Sequence, residues 1–346
     1  MKLLVLTQSI NLDNPALGFF STWVTSFADT FEKVSVICLE KGRNELPASI
    51  SVTSLGKEVG TSTLERIRRF YVDIIRMRND YDAVYVHMNK EYVILGWLFW
   101  KLWRKKIVLW YNHPHADRMA KLAGMLADKV MCTSPQSYFG RTGRGILMPV
   151  GIDTEMFTPA DQSVNVDRIT YVGRISPVKN VDILLEAFKK LKGERNQCEL
   201  HVYGGFLKRD AHYGDEIQKA ANKIGGIFLH GDIAFDQLRQ VYQNHKIFLN
   251  ATKTGSFDKV IFEAMSREGV MISSNAAYKE LIPDKYRSLL CPNEGDPDSF
   301  YSALKRVCSL ALSEIDEIGK VLREIVEDKH SLSRLATRLK EEISSI

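Results

Sequence analysis

The stretch Tyr171-Val-Gly-Arg-Ile-Ser-Pro-Val-Lys-Asn-Val-Asp-Ile-Leu-Leu-Glu-Ala-Phe188 decides the fold. A buried strand ends at Val172, Gly173 permits a tight turn, and an amphipathic helix follows over Val181–Leu191. Ser176 suits a helix cap and Pro177 the first helical position. The free amides and positive dipole end of a helix start favour an anion, and Arg174 and Lys179 place two mobile cations beside that spot. Arginine and lysine near a helix start are also common as plain solvated residues, so this stretch needs company.

The same strand–helix alternation runs outward in both directions. Apolar β-rich runs occur at Lys2–Thr7, Lys33–Leu39, Ala83–His87, Lys106–Tyr111 and Lys129–Cys132. Further on they recur at Glu199–Tyr203, Ile227–Leu229, Ile247–Leu249 and Val270–Ser273. Continuous apolar strands separated by amphipathic segments, such as Ser299–Ala311, imply parallel β-α-β units covered on both faces. A chain of 346 residues exceeds what one core usually serves. The expected organisation is α/β, with two doubly wound domains at 1–155 and 156–331. The boundary falls in the Pro- and Gly-containing stretch Pro149–Gln162. The last helix, 332–346, is expected to pack back towards the first domain.

Composition narrows the class. The sequence is 45% hydrophobic and 26% charged, as in an ordinary globular protein. Residues 1–155 carry 20 Lys+Arg against 15 Asp+Glu, which accounts for the whole net charge of +5. That surplus is too small to argue for nucleic acid. Five widely spaced cysteines without a Cys-x-x-Cys pair fit a reducing, cytoplasmic compartment. The short apolar run at the N-terminus reads as a first strand, not a signal peptide.

A second chemical signal is Lys253-Thr-Gly-Ser-Phe-Asp-Lys-Val-Ile-Phe-Glu-Ala-Met265, a small polar loop leading into a helix. Amides of Phe257, Asp258, Lys259 and Val260 can face a phosphate. Glu263, one and a half turns on, can accept both hydroxyls of a ribose. Its bland alternative is an exposed helix glutamate beside buried Ala264 and Met265.

These segments together resemble the group-one glycosyltransferases (family four), retaining enzymes of the GT-B fold, in which two Rossmann-like domains face each other across a cleft. The matching residues are the run from Gly173 to Asp182, Phe262-Glu-Ala-Met265, and Val150-Gly-Ile-Asp-Thr-Glu-Met-Phe157. The tracts Val202-Tyr-Gly-Gly205 and Leu229-His-Gly-Asp-Ile233 match as well, the last followed by a helix like Phe235–Gln243. The resemblance implies a metal-independent enzyme without cofactor that moves a sugar from a nucleotide sugar, UDP ahead of GDP, to a saccharide or lipid-linked acceptor. Arg174 and Lys179 would bind the diphosphate, with Gly173, Gly204 and Ser256 around the donor. Glu263 would bind the ribose, and the loop with Asp232 and Ile233 the base. Gly18 would sit in the turn after the first strand, and His113 near the donor sugar. One position departs from the pattern. Gly255 stands where a first glutamate usually touches the sugar; either Asp258 replaces it or backbone amides hold the sugar hydroxyls. A nucleotide-sugar epimerase or a non-catalytic nucleotide-sugar binder of the same fold are the alternative readings.

Three further patterns are open at this level. His87, His113 and His115 follow strand ends and line the ligand side of such a sheet, as packing or as sugar contacts. Asp80-Tyr-Asp82 and Asp296-Pro-Asp298 match the metal-holding pair of another transferase fold, yet read better as turn or capping residues. No metal site is expected from any of them. Trp97, Trp100 and Trp103, followed by Arg104, Lys105 and Lys106, read either as a helix packed on the sheet or as peripheral contact with an anionic membrane.

Overall fold

The computed structural model describes residues 1–159, 165–255 and 257–346. The chain divides into two compact units. The first holds Met1–Gly151, Ala234–Asp236 and Leu332–Ile346, and the second holds Ile152–Ile233 and Gln237–Ser331. The division thus falls at Gly151/Ile152, four residues before the position expected from the sequence. The expected boundary stretch itself runs into residues 160–164, which lie outside the described residues.

Among the described residues, the first unit carries strands β1 (Lys2–Ile10), β2 (Lys33–Lys41), β3 (Ser51–Ser54), β4 (Ala83–His87), β5 (Lys106–Trp110), β6 (Lys129–Cys132) and β7 (Gly145–Leu147). They form one sheet in the order β3-β2-β1-β4-β5-β6-β7, all neighbours parallel. Its helices are α1 (Phe20–Thr30), α2 (Thr63–Arg76), α3 (Lys90–Leu102), α4 (Arg118–Leu126) and α5 (Tyr138–Arg141). The second unit carries β8 (Arg168–Val172), β9 (Glu199–Tyr203), β10 (Ile227–Gly231), β11 (Ile247–Asn250) and β12 (Val270–Ser273). Their order is β10-β9-β8-β11-β12, again parallel throughout. Its helices run α6 (Val181–Glu194), α7 (Ala211–Ile224), α8 (Leu238–Gln243), α9 (Lys259–Ser266), α10 (Ala276–Leu281), α11 (Asp284–Leu290), α12 (Pro297–Cys308) and α13 (Leu312–Lys329). The last helix, α14 (Leu332–Ser344), belongs to the first unit.

Strand order reverses between β1 and β4 in the first sheet and between β8 and β11 in the second. Ligands of open α/β sheets bind beyond the carboxyl ends of the strands at such switch points. The loops after β8 and β11, which hold both chemical motifs of the second unit, lie at one of them.

Each sheet is buried by apolar side chains from both faces. Phe70, Ile74, Val93, Trp100 and Ala123 from α2, α3 and α4 cover one face of the first sheet. Trp23, Val24 and Phe27 of α1 and Leu335, Leu339 and Ile343 of α14 cover the other. Burying one leucine side chain contributes about 1.5–3 kcal/mol, so α14 is held mainly by its apolar stripe. Lysines tie down its final turn: Lys106 Nζ donates to the Ile343 carbonyl at 2.9 Å, and Lys129 pairs with Glu342 at 2.7 Å. Cations are favoured at a helix carboxyl end.

Two buried histidines give the second unit an acid limit. Burial pushes His245 and His330 down to about 4, and the His245 imidazole also contacts the Val241 carbonyl at 2.7 Å. An unfolded histidine titrates near 6.5. The unfolded chain therefore binds protons that the folded chain refuses, and stability present above pH 6.5 falls as pH drops towards 4. Urea unfolding at pH 7.5 and pH 5 should show a loss of up to about 2 kcal/mol per histidine. A His245→Gln variant should lose part of that pH dependence. An unchanged pH profile in that variant would place the acid limit elsewhere.

Candidate functional site

At the carboxyl ends of β8, β9 and β10 the loops approach at backbone distance. Gly173 N donates to the Tyr203 carbonyl at 2.9 Å, and Gly204 N to the Gly231 carbonyl at 2.7 Å. A Cβ on Gly204 would lie 2.0 Å from the Gly173 oxygen, and its φ of +137° disfavours any side chain. Gly173, at φ +148°, is under a similar restriction. These glycines fit the close approach itself. Asp232 is also committed: its carboxylate accepts the Gly205 amide at 2.8 Å, which fixes the loop that continues through half-buried Ile233.

The helix start expected at Pro177 is different in the structure. Pro177–Lys179 is a single 3₁₀ turn, Asn180 adopts the left-handed conformation at φ +48°, and α6 begins only at Val181. The Asn180 amide donates to the Ala251 carbonyl at 3.0 Å, which holds the break in place. Ser176 makes no capping bond, and its Oγ is buried without a partner among the described residues. One 3₁₀ turn offers little dipole, so anion attraction at this loop falls to side chains. Arg174 is exposed and forms no ion pair among the described residues, while its carbonyl accepts the Tyr171 hydroxyl at 2.9 Å.

Lys179 reaches the other motif. Its Nζ meets Asp258 Oδ1 at 2.5 Å, and both side chains are largely buried. The second Asp258 oxygen accepts Asn250 Nδ2 at 2.9 Å and the Thr252 hydroxyl at 2.5 Å. Burial alone would raise this carboxyl, but Lys179 and the two hydrogen bonds outweigh it and hold it below the ordinary range. Asp258 is therefore engaged as the counter-ion of Lys179, which changes its reading as a stand-in sugar ligand. Glu294 is a carboxylate bonded to the Gly255 loop: it accepts the Thr254 amide at 3.1 Å and the Thr254 hydroxyl at 2.5 Å. Forty positions away in sequence, Glu294 carried no signal. Ser256 lies outside the described residues.

Glu263 sits buried on α9, not exposed on its surface, which removes the bland alternative for this residue. The Tyr242 hydroxyl donates to its Oε2 at 2.9 Å. Burial pushes the Glu263 carboxyl up and the Lys259 ammonium down, while their mutual charge opposes both shifts. Asp153 adds its negative charge to the surroundings of Lys259. Phe257 packs edge-on against Phe262 at 5.0 Å, and Val260 is half-buried in the first turn of α9. Arg174, Lys179, Asp258, Lys259 and Glu263 thus share the switch point of one sheet.

Gly18 and His113 belong to the first unit. A Cβ on Gly18 would approach the Leu12 and Asn14 carbonyl oxygens at 2.9 and 3.0 Å, so glycine is required by packing. His113 is accessible after β5, beside Tyr111 with ring centroids 5.3 Å apart. Partial desolvation, and then the charge of Lys90, push its imidazole below the usual value, which favours the neutral form. His87 is a packing residue, buried and stacked on Phe20 at 4.3 Å. His115 is exposed.

The acidic pairs act locally. Asp80 pairs with Lys33 at 2.8 Å, Asp82 accepts the Lys2 amide at 2.8 Å, and Asp296 caps α12. Of the two readings of the tryptophan stripe, the helix packed on the sheet is the one the structure shows. Trp100 is fully buried and donates to the Tyr81 hydroxyl at 3.1 Å, and Trp97 and Trp103 pack half-buried against the same core. The helix exposes Leu98 and Leu102 instead. No helix among the described residues is long and apolar enough to cross a membrane.

Comparison with known proteins places these features. Residues 166–309 match the model of the group 1 glycosyl transferases. The lipopolysaccharide 1,2-N-acetylglucosaminetransferase of Salmonella typhimurium is 27% identical over 184 residues, 51% of this chain and 48% of that protein. A phosphatidylinositol N-acetylglucosaminyltransferase subunit of Arabidopsis thaliana is 25% identical over 211 residues, 57% of this chain and 45% of that protein. The matched stretches thus cover about half the length of these curated relatives. Among solved structures, HepE of Anabaena in complex with UDP and glucose superimposes with a TM-score of 0.80, at 15% identity and 100% coverage of both chains. At that identity the likeness shows the GT-B fold alone.

Proposed function

We propose that this chain, whose residues 166–309 match the group 1 glycosyl transferases and whose fold is GT-B, is a retaining hexosyltransferase using a nucleoside diphosphate sugar, UDP rather than GDP. The observation that carries this reading is the meeting of two cations, a buried Lys–Asp pair and a buried ribose-type carboxylate at one switch point. The UDP bound by the HepE neighbour supports the choice of base.

In this reading Arg174 and Lys179 neutralise the diphosphate as the bond from sugar C1 to the phosphate oxygen breaks. Charge grows on that oxygen in the transition state, so fixed cations act most strongly there. The acceptor oxygen bonds to C1 on the same face, and its proton passes to the departing phosphate oxygen. Neutral His113 hydrogen-bonds the donor sugar, and Glu263 accepts from the ribose hydroxyls. No metal or cofactor is needed, because side chains supply the positive charge. Transfer should therefore persist in excess chelator. Loss with EDTA, restored by Mg²⁺ or Mn²⁺, would overturn that part. The free cysteines among the described residues suit a cytoplasmic setting.

The reading is tested with a panel of UDP- and GDP-sugars. A cognate donor should raise the melting temperature by mass action and release nucleotide slowly without acceptor. If no donor stabilises the protein or is hydrolysed, the proposal fails. Binding without hydrolysis or transfer would leave only a nucleotide-sugar binder.

The ribose assignment makes a separate expectation. Glu263→Gln should weaken nucleoside diphosphate binding by roughly 1.5–3 kcal/mol, the range for a hydrogen bond to a charged group. A deoxyribose analogue should bind the wild type poorly and lose little more in the variant. Equal losses for both ligands, measured by calorimetry, would make Glu263 a structural residue.

A further inference from the structure

The first unit holds a groove of about 460 Å³ at the first turns of α2, α3 and α4. Its lining is mostly apolar, with Ile67, Tyr92, Ile94, Leu95 and Met119 as its main surfaces. The groove lies on the carboxyl-end side of the sheet, since Asn89 follows the end of β4 by two residues and also lines it. That volume is in the range of small-molecule sites, which combine apolar walls with few polar groups.

Five polar side chains, Lys57, Thr63, Arg66, Asn89 and Glu91, interrupt the apolar lining. Arg66 donates to the Thr63 hydroxyl at 3.0 Å and forms no ion pair among the described residues. Its neighbours Arg68 and Arg69 instead share Glu65 at 2.8 and 2.9 Å. Lys57 lines the same groove and meets Glu40 at 3.4 Å. The Asn89 Nδ2 is buried without a hydrogen-bond partner among the described residues. A buried amide donor left unmade costs free energy, and a ligand oxygen would satisfy it. The one acid in the lining, Glu91, is exposed and lies 4.0 Å from Lys90. Met119, in the lining, is itself partly exposed.

We propose that this groove binds the hydrocarbon chain of an anionic amphiphile, with the anionic group against Arg66 and one of its oxygens accepting from Asn89. Charge complementarity selects that occupant: an apolar channel beside an unpaired guanidinium and an unused amide donor disfavours a cationic or purely polar ligand. Calling the amphiphile an acceptor, an alkyl or prenyl phosphate to be glycosylated or carrying the sugar to be extended, rests on the function proposed above. The groove itself does not depend on that reading.

The probe is dodecyl phosphate below its micelle concentration, titrated into the full chain by calorimetry without any donor. One-to-one binding is expected, at least tenfold tighter than inorganic phosphate and than dodecyl trimethylammonium. Arg66→Glu should weaken it at least tenfold, and Leu95→Arg should abolish it. UDP binding, measured in parallel, should be unchanged in both variants, which reports that each remains folded. Dodecyl phosphate binding no tighter than inorganic phosphate overturns the proposal, as does equal binding by wild type and Arg66→Glu. If dodecyl phosphate binds as expected while no nucleotide sugar does, the groove stands and the transferase reading falls.

Discussion

Replacing Lys179 with alanine should lower the transfer rate by on the order of a hundredfold or more, measured in single turnovers at saturating donor. Two effects add. The diphosphate loses a cation that acts most in the transition state. Asp258, left largely buried without its 2.5 Å partner, becomes an uncompensated negative charge where negative charge is developing. Arg174→Ala should lose a similar factor through the first effect alone, because its guanidinium has no ion pair to abandon among the described residues. Asp258→Asn separates the two effects. It keeps Lys179 and removes the competing carboxylate, so diphosphate binding should hold or tighten. Near-normal turnover in both Lys179→Ala and Arg174→Ala would show that the phosphates bind elsewhere.

The largest stability effect is expected at Gly204. A Cβ there would sit 2.0 Å from the Gly173 carbonyl oxygen, and the backbone φ of +137° is itself unfavourable for a side chain. Backbone rather than a flexible side chain is in the way, so the loops after β8 and β9 must separate. Gly204→Ala should cost on the order of 3 kcal/mol or more in urea unfolding, the range of severe backbone strain plus a clash. It should also weaken donor binding, because Gly173 and Arg174 move with the loop. Gly231→Ala is the control: φ is +74° there but nothing lies within 4 Å, so about 1 kcal/mol is expected. Equal losses at the two positions would mean that the contact at Gly204 is not tight.

Strands buried on both faces were legible because burial leaves a continuous apolar run; Ala83–His87 and Val270–Ser273 fall where their sequences put them. The two edge strands of the first sheet were not. Ser51-Val-Thr-Ser54 is polar, as an edge with one solvated side permits, and Gly145–Leu147 spans three residues. At the site, the glycine turns and cations were readable because each is a local backbone or charge requirement. The 3₁₀ turn at Pro177 was not, because Asn180 leaves the helical conformation while its amide binds Ala251, 71 positions away. Partnerships between motifs were equally hidden: Lys179 with Asp258, Glu263 with Tyr242, and Thr254 with Glu294 are tertiary pairs. The tryptophans left two readings open for a related reason. Aromatic residues next to basic ones suit both a lipid interface and a helix packed on a sheet, and only the partner of the indole N–H, Tyr81, distinguishes the two.

The return of α14 to the first unit imposes an order on biosynthesis. Residues 332–346 leave the ribosome about 180 residues after Gly151, and at roughly 5–20 residues per second that is a wait on the order of 10–40 s. Throughout it, Trp23, Val24 and Phe27 of α1 lack the leucines that later cover them. The second unit is itself completed only at Ser331, so the first stays half-covered for the whole time that the second is being made, until residues 332–346 emerge. Chaperone demand should therefore track the nascent first unit, even though it is synthesised first.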